Sequence, residues 1–432
     1  MDKTSQNYGP KPSESIELRR RIDRDELFAR FVSIPTRAST VLRIQYPDSR
    51  RIVRGVSGVA QLFASSFYDL ATLEFNGCPI AIATAIPVPN PAEPWACAWG
   101  AASGIGISTD MALIKSVLEA GERFSTLPRP DDPRLFLAEV DTIRPASVAA
   151  DVPLPRSGAF ALSNRIGDAG AAEPGWDAAA MEAWSLADGR SLSVFAAPLL
   201  GLPSGPDGQD PNAATPPIGY AAGRTLEEAL PFAVIECVER AAVEQWWRIR
   251  PRMLGFLASA TLPEEANELG KWLNERAAET RVFLQPTLAG IIVAVAASRR
   301  DRDGRLAIGS GAGTDPAGAA LSAVHELIQT EVSLALNERV LAVGASGELE
   351  GKTERLRHWA HCPPVEDLAF LFDGDPLEAP DFSSASMVPV SVDTIEAALG
   401  GALIGVDLTV PDLGLPVAAV FMAGPCRTLL AR

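Results

Sequence analysis

Apolar positions along this chain follow two different periods. CPIAIATAIPV (78–88) is a nearly unbroken apolar, β-branched run, which predicts a strand buried on both faces. WACAWGAASGIG (95–106) predicts a second strand that ends in glycines. From 110 to 127 the apolar residues recur every three to four positions, the helical period, and Pro128 and Pro130 stop the helix. Residues 128–180 are rich in Pro, Gly and Asp and read as loop. EAWSLADGRSLSVFAAPLL (182–200) then predicts a hairpin turning at Asp188 and Gly189.

A Pro/Gly loop (201–217) leads to a second long helix, 225–248, opened by a capping box of Thr225 and Glu228. RVFLQPTL, GIIVAVAASR and RLAIGSGAG predict three more strands. A third helix starts near Asp315 and Pro316 and runs to about 343. Near the end, LAFLF (368–372) and VAAVF (417–421) predict strands. The pattern belongs to the α+β class, with mixed sheets packed against helices. The polar residues 1–15 read as a disordered tail, 16–65 as an N-terminal extension with a basic helical stretch, and 66–432 as the main domain.

Composition narrows the functions available. With 432 residues, 47% of them hydrophobic and 21% charged, the chain has enough apolar surface for a substantial core. Its net charge of −16 opposes binding to nucleic acid or to an anionic membrane. The N-terminus has no apolar core of the kind a signal peptide needs, and no run of 18 apolar residues follows. The expected location is the cytoplasm. Five dispersed cysteines without a CxxC pair argue against a disulfide framework and a four-thiolate zinc site.

The candidate chemistry lies in a repetition. Glu119-x-x-Glu122-Arg123 on the first long helix recurs as Glu236-x-x-Glu239-Arg240 on the second, which is read as an internal pseudo-repeat. At i and i+3 the two glutamates of each helix share one face of a largely apolar helix. Paired carboxylates repel in poorly solvated surroundings unless a cation neutralises them, and an all-oxygen donor set suits a hard divalent cation. The third long helix carries Glu326-x-x-Gln329.

Two ExxER helices followed by an ExxQ helix resemble the YcaO proteins, and the resemblance spans roughly 70–425. Its other carriers are SGIG (103–106), GYAAGRTLEEAL (219–230) and GVDLTVPDLGLPVAAV (405–420). It implies a YcaO-type fold and that Glu119, Glu122, Glu236, Glu239 and Glu326 hold Mg2+ against ATP. Arg123 and Arg240 would brace carboxylates or phosphates, and Gly104, Gly106, Ser116, Gly219 and Gln329 would contact the nucleotide. The implied activity is ATP-dependent phosphorylation of a peptide-backbone oxygen after a nucleophile has attacked the amide. An azoline, thioamide or amidine results in a ribosomally made precursor peptide, with a leader-binding partner protein. The resemblance also allows a homodimer.

The chain departs from the family pattern around the nucleotide. Ile105 replaces the lysine of GKG, Lys115 a serine, Pro217 and Ile218 the Ser-Asn of Ser-Asn-Gly, Ala241 an acid and Ser322 an arginine. A catalytically degenerate homologue acting as scaffold or regulatory subunit is therefore the alternative. Gly351-Lys352-Thr353 lacks the glycine a Walker A loop needs at 346, and His358, His361 and Cys362 lack further metal ligands in sequence.

Overall fold

The computed structural model describes residues 42–45, 68–87, 102–127, 132–137, 179–200, 218–249, 255–300, 306–342, 371–372, 390–411 and 413–423. The first sheet is antiparallel in the order β1 (Leu42–Gln45), β2 (Tyr68–Phe75), β3 (Ala81–Pro87), β4 (Ala102–Gly106). Its edge strand β1 comes from the segment read as an N-terminal extension. The third sheet in chain order holds β9 (Gly255–Leu257), β10 (Ala278–Pro286), β11 (Ile292–Arg300) and β12 (Leu306–Gly313), as the antiparallel sequence 12-11-10-9. The remaining sheet, of order β5-β6-β13-β14-β8 with β7 also on β6, draws strands from before and after these in sequence. Its strands are β5 (Phe136–Leu137), β6 (Ala179–Ser185), β7 (Ser191–Phe195), β8 (Ile218–Ala222), β13 (Ala402–Asp407) and β14 (Val417–Ala423).

Three long helices fill the spaces between the sheets: α1 (Thr109–Ser125), α2 (Leu226–Ile249) and, after the shorter α3 (Asn267–Glu275), α4 (Pro316–Ala342). Ser108 caps α1 by accepting from the Met111 N–H at 3.3 Å, and Asp315 accepts from the Gly318 N–H at the start of α4. The predicted capping box forms in part. Thr225 accepts from the Glu228 N–H, but the Glu228 carboxylate bonds Arg224 rather than the Thr225 N–H.

Each of these helices is sandwiched. Ala112, Val117 and Phe124 of α1 pack between Leu70 and Ala83 of the first sheet and Met181 and Ala419 of the β5–β8 sheet. The opposite face of that sheet, through Ala418 and Val420, covers α2, whose other side meets Val293 and Val295 of β11. The reverse side of β11, through Ala294 and Ala296, covers α4, which in turn meets Phe75, Ile82 and Ile105 of the first sheet. Sheet and helix thus alternate around a closed circuit, and the sheets are buried on both faces. This explains why β3 and β11 read as continuous apolar runs rather than alternating ones.

The hairpin at Asp188 and Gly189 is present, and Gly189 takes the positive φ of 68° that its turn requires. Its second arm is shorter than the sequence suggests: β7 ends at Phe195, and Ala196–Leu199 form a helical turn. Leu371 and Phe372 form a short 3-10 turn, not a strand, and 368–370 lie outside the described residues. The 1–15 tail, the 15–31 helix, the 201–217 loop, 351–353 and His358, His361 and Cys362 also lie outside them. Helices α3 and α5 (Val392–Leu399) and strand β9 were not anticipated. Among the described residues no helix is long and apolar enough to cross a membrane.

Candidate functional site

The site begins with how close each helix lies to the strand before it. A Cβ on Gly104 would stand 2.1 Å from the Ala112 carbonyl oxygen of α1, and one on Gly219 1.9 Å from the Ala233 oxygen of α2. Only glycine permits these approaches. The bare faces of Gly104 and Gly219 are therefore taken up by helix packing, as is that of Gly106 against Met111.

Close packing brings one glutamate of each helix to the backbone of its strand. Glu119 accepts from the Ser103 N–H at 2.9 Å, Glu236 from the Tyr220 N–H at 2.8 Å and Glu326 from the Ser310 N–H at 2.5 Å. All three bonds span 16 residues. The second oxygen of Glu119 pairs with Arg123 at 2.5 Å, and that of Glu236 with Arg240. Arg240 also lies 6.0 Å from the Tyr220 ring centroid, while the Tyr220 hydroxyl donates to the Leu199 carbonyl at 3.2 Å. Where α1 and α2 carry this arginine, α4 has Thr330, whose hydroxyl donates to Ile308 O.

The five glutamates are close enough to act on one another. Burial raises the Glu119 pKa, with Glu326 adding to the effect and Arg123 and the Ser103 N–H opposing it. Glu122 is held well above the usual carboxylate range, first by burial and then by Glu236 and Glu119. Among the described residues no side chain or backbone group hydrogen-bonds the Glu122 carboxylate. Burial also raises Glu236, against Arg240 and the Tyr220 N–H, and pushes Glu239 up to about 7 despite a hydrogen bond from Ser310. His325, beside Glu326, is pushed down to about 4 by burial and then by Lys115.

Among the described residues no three His, Cys, Asp or Glu side chains converge tightly enough to hold a metal ion as they stand. The glutamates instead engage arginines and strand N–H groups. Their chemistry nonetheless fits a divalent cation: several oxygens carry no hydrogen bond, the donors are all hard, and their mutual repulsion is what a cation would relieve. Gln329 belongs to this group, since its Nε2 donates to Ser103 O of β4 at 3.2 Å and leaves its oxygen unbonded.

Ser116 stands apart from the rest. It is fully buried where α1 packs against Gly104 of β4, and its hydroxyl donates to Leu113 O at 3.0 Å. Lys115, its neighbour, is exposed. Ile105 and Ile218, at two of the departures from the family pattern, are 1% and 5% exposed. Sequence reasoning missed Ser310, whose hydroxyl joins Glu239 to Glu326, and the strand N–H groups. A serine within GSGAG carries no signal of such a role. Trp246 and Cys237 are buried core.

No curated protein matches this chain. Among solved structures it is similar to YcaO from Methanopyrus kandleri bound with AMPPCP and Mg2+ (TM-score 0.56, 19% identity, 87% of this chain and 90% of that one). A heterocyclase in complex with substrate and cofactor gives a TM-score of 0.61 at 21% identity, over 87% of this chain but 52% of the heterocyclase. The E. coli microcin synthetase McbBCD complex with pro-MccB17 bound gives 0.56 at 13% identity, over 82% of this chain and 87% of that one. These likenesses establish the fold. The family model described as YcaO cyclodehydratase, ATP- and Mg2+-binding, matches residues 103–425, most of the sequence. The chain belongs to the YcaO family.

Proposed function

We propose that this protein uses ATP and Mg2+ to activate backbone amides of a ribosomally made precursor peptide, forming an azoline, thioamide or amidine. The observation that carries this reading is Glu122. A half-buried, partly desolvated carboxylate with no hydrogen-bond partner among the described residues, pressed by Glu119 and Glu236, is unfavourable unless a cation joins it.

Glu119, Glu122, Glu236, Glu239 and Glu326 are the residues to hold Mg2+, with the Gln329 oxygen as a neutral donor. Bound ATP supplies the phosphoryl group that turns an amide oxygen into a leaving group. Arg123 and Arg240 keep Glu119 and Glu236 oriented, and guanidinium groups so placed suit phosphate oxygens. The Ser103, Tyr220 and Ser310 N–H groups fix three carboxylates before any ligand arrives, which reduces the reorganisation needed on binding. A precursor peptide and a leader-binding partner protein complete the proposed reaction, in a cytoplasmic setting.

A second reading, a non-catalytic scaffold within a modification complex, is favoured by Ile105. Its side chain packs into the core between β4 and α4, so the polar group expected at this position is replaced by packing. Calorimetry with ATP and Mg2+ separates the two. Micromolar binding by the wild type that Glu119→Gln/Glu239→Gln loses supports the enzyme. Absence of binding at millimolar ATP overturns it and leaves the scaffold.

A further inference from the structure

Ser310 sits within β12 opposite Val295 of β11. Its hydroxyl oxygen lies 2.7 Å from Glu239 Oε1 and 2.9 Å from Glu326 Oε2, and so connects a carboxylate of α2 to one of α4. The matching strand positions do nothing similar: among the described residues the Ser103 hydroxyl bonds no carboxylate, and the Tyr220 hydroxyl is turned to Leu199. The three oxygens come from three separate elements, and the strand carrying Ser310 is held in place on both faces by packed helices.

A hydroxyl has one proton and donates to one acceptor. The second of these two close oxygen pairs is therefore favourable with positive charge, a carboxyl proton or a cation, shared between its members. Mg2+ takes six oxygens at about 2.0–2.1 Å in an octahedron, which sets neighbouring ligand oxygens about 2.9 Å apart. Both Ser310 separations are close to such an edge.

We propose that Ser310 Oγ is itself a ligand of the cation shared by Glu239 and Glu326, a neutral oxygen set between two charged ones. This rests on the Mg2+–nucleotide reading above. It also accounts for the lack of three clustered carboxylates: the third donor is a hydroxyl.

The test is binding of Mn2+, followed by electron paramagnetic resonance in the presence of a non-hydrolysable ATP analogue, with Cd2+ and Mg2+ as competitors. Ser310→Ala is expected to weaken Mn2+ binding about tenfold or more, and Ser310→Thr to retain it. Ser310→Cys is expected to raise the Cd2+-over-Mg2+ preference about tenfold, because a thiolate favours the softer ion. Melting without ligand identifies any variant that fails to fold, and the other substitutions then carry the test. Wild-type binding left unchanged in Ser310→Ala, or an unaltered cation preference in Ser310→Cys, overturns the role of Ser310 alone. No Mn2+ binding by the wild type overturns the Mg2+–nucleotide reading, and this proposal with it.

Discussion

Glu122 combines desolvation, like-charged neighbours and a carboxylate without a hydrogen-bond partner among the described residues, a configuration that costs stability. Replacing it with glutamine removes the charge and keeps the shape. Urea unfolding of Glu122→Gln at pH 8, without nucleotide, should show a gain of roughly 0.5–2 kcal/mol over the wild type, while ATP binding is lost. A loss of stability would mean that the folded protein uses the charge itself. Cys78 illustrates burial acting on a thiol. Desolvation pushes it up to about 11, against a hydrogen bond from the Ile80 backbone. At pH 8 the thiolate is then rare, so peptide mapping after iodoacetamide should find Cys78 alkylated at least about 100-fold more slowly than in the denatured chain. Its proton is bound in folded and unfolded chain alike below about pH 7.5, so it adds no pH dependence to stability in that range.

At the scale of elements, most of the site was legible and its support was not. The ExxER spacing places two glutamates on one helix face whatever the tertiary structure, so Glu119, Glu122, Glu236 and Glu239 could be identified without coordinates. Ser116 was chosen by adjacency to a motif position, and a shift of one residue on a helix turns the side chain by about 100°, here into the core. Ser310 was missed because its role comes from the approach of α2 and α4, two helices far apart in sequence. The glycines were found, but the sequence could not tell whether their bare faces met a nucleotide or a helix. The close approach makes a sharp prediction. Gly219→Ala would drive a methyl into the Ala233 carbonyl and should cost about 2–4 kcal/mol, with loss of cation binding as α2 shifts. Gly313→Ala, whose Cβ would meet nothing nearer than 3.7 Å, should stay within about 0.5 kcal/mol of wild type in the same denaturation series.

Across the whole molecule, the alternation of sheets and helices follows from apolar runs that no single surface could cover. The α+β class and the order of its main elements were readable because β3 and β11 are continuous apolar strands and the three long helices are strongly bounded. The circuit was not readable, since nothing local says which helix lies against which sheet. One residue from the stretch read as loop helps to close it. Arg134 donates to Ser125 O at the end of α1 and to Leu408 O beyond β13, each at 2.7 Å, and forks onto Asp132 in a pair with almost no exposure. Arg134→Met would leave the Asp132 carboxylate buried without its guanidinium. Denaturant titration should register a loss of about 3–5 kcal/mol, partly recovered in Asp132→Asn/Arg134→Met.

The three strand-to-glutamate hydrogen bonds have an evolutionary consequence. Their donors are main-chain N–H groups, which every residue but proline supplies, so the placement of Glu119, Glu236 and Glu326 is indifferent to the side chains at 103, 220 and 310. Serine, tyrosine and serine occupy these positions, and the same main-chain bond forms at each. Each can acquire a local role of its own, as Tyr220 has against Arg240 and Ser310 between Glu239 and Glu326, while the acidic framework stays where it was.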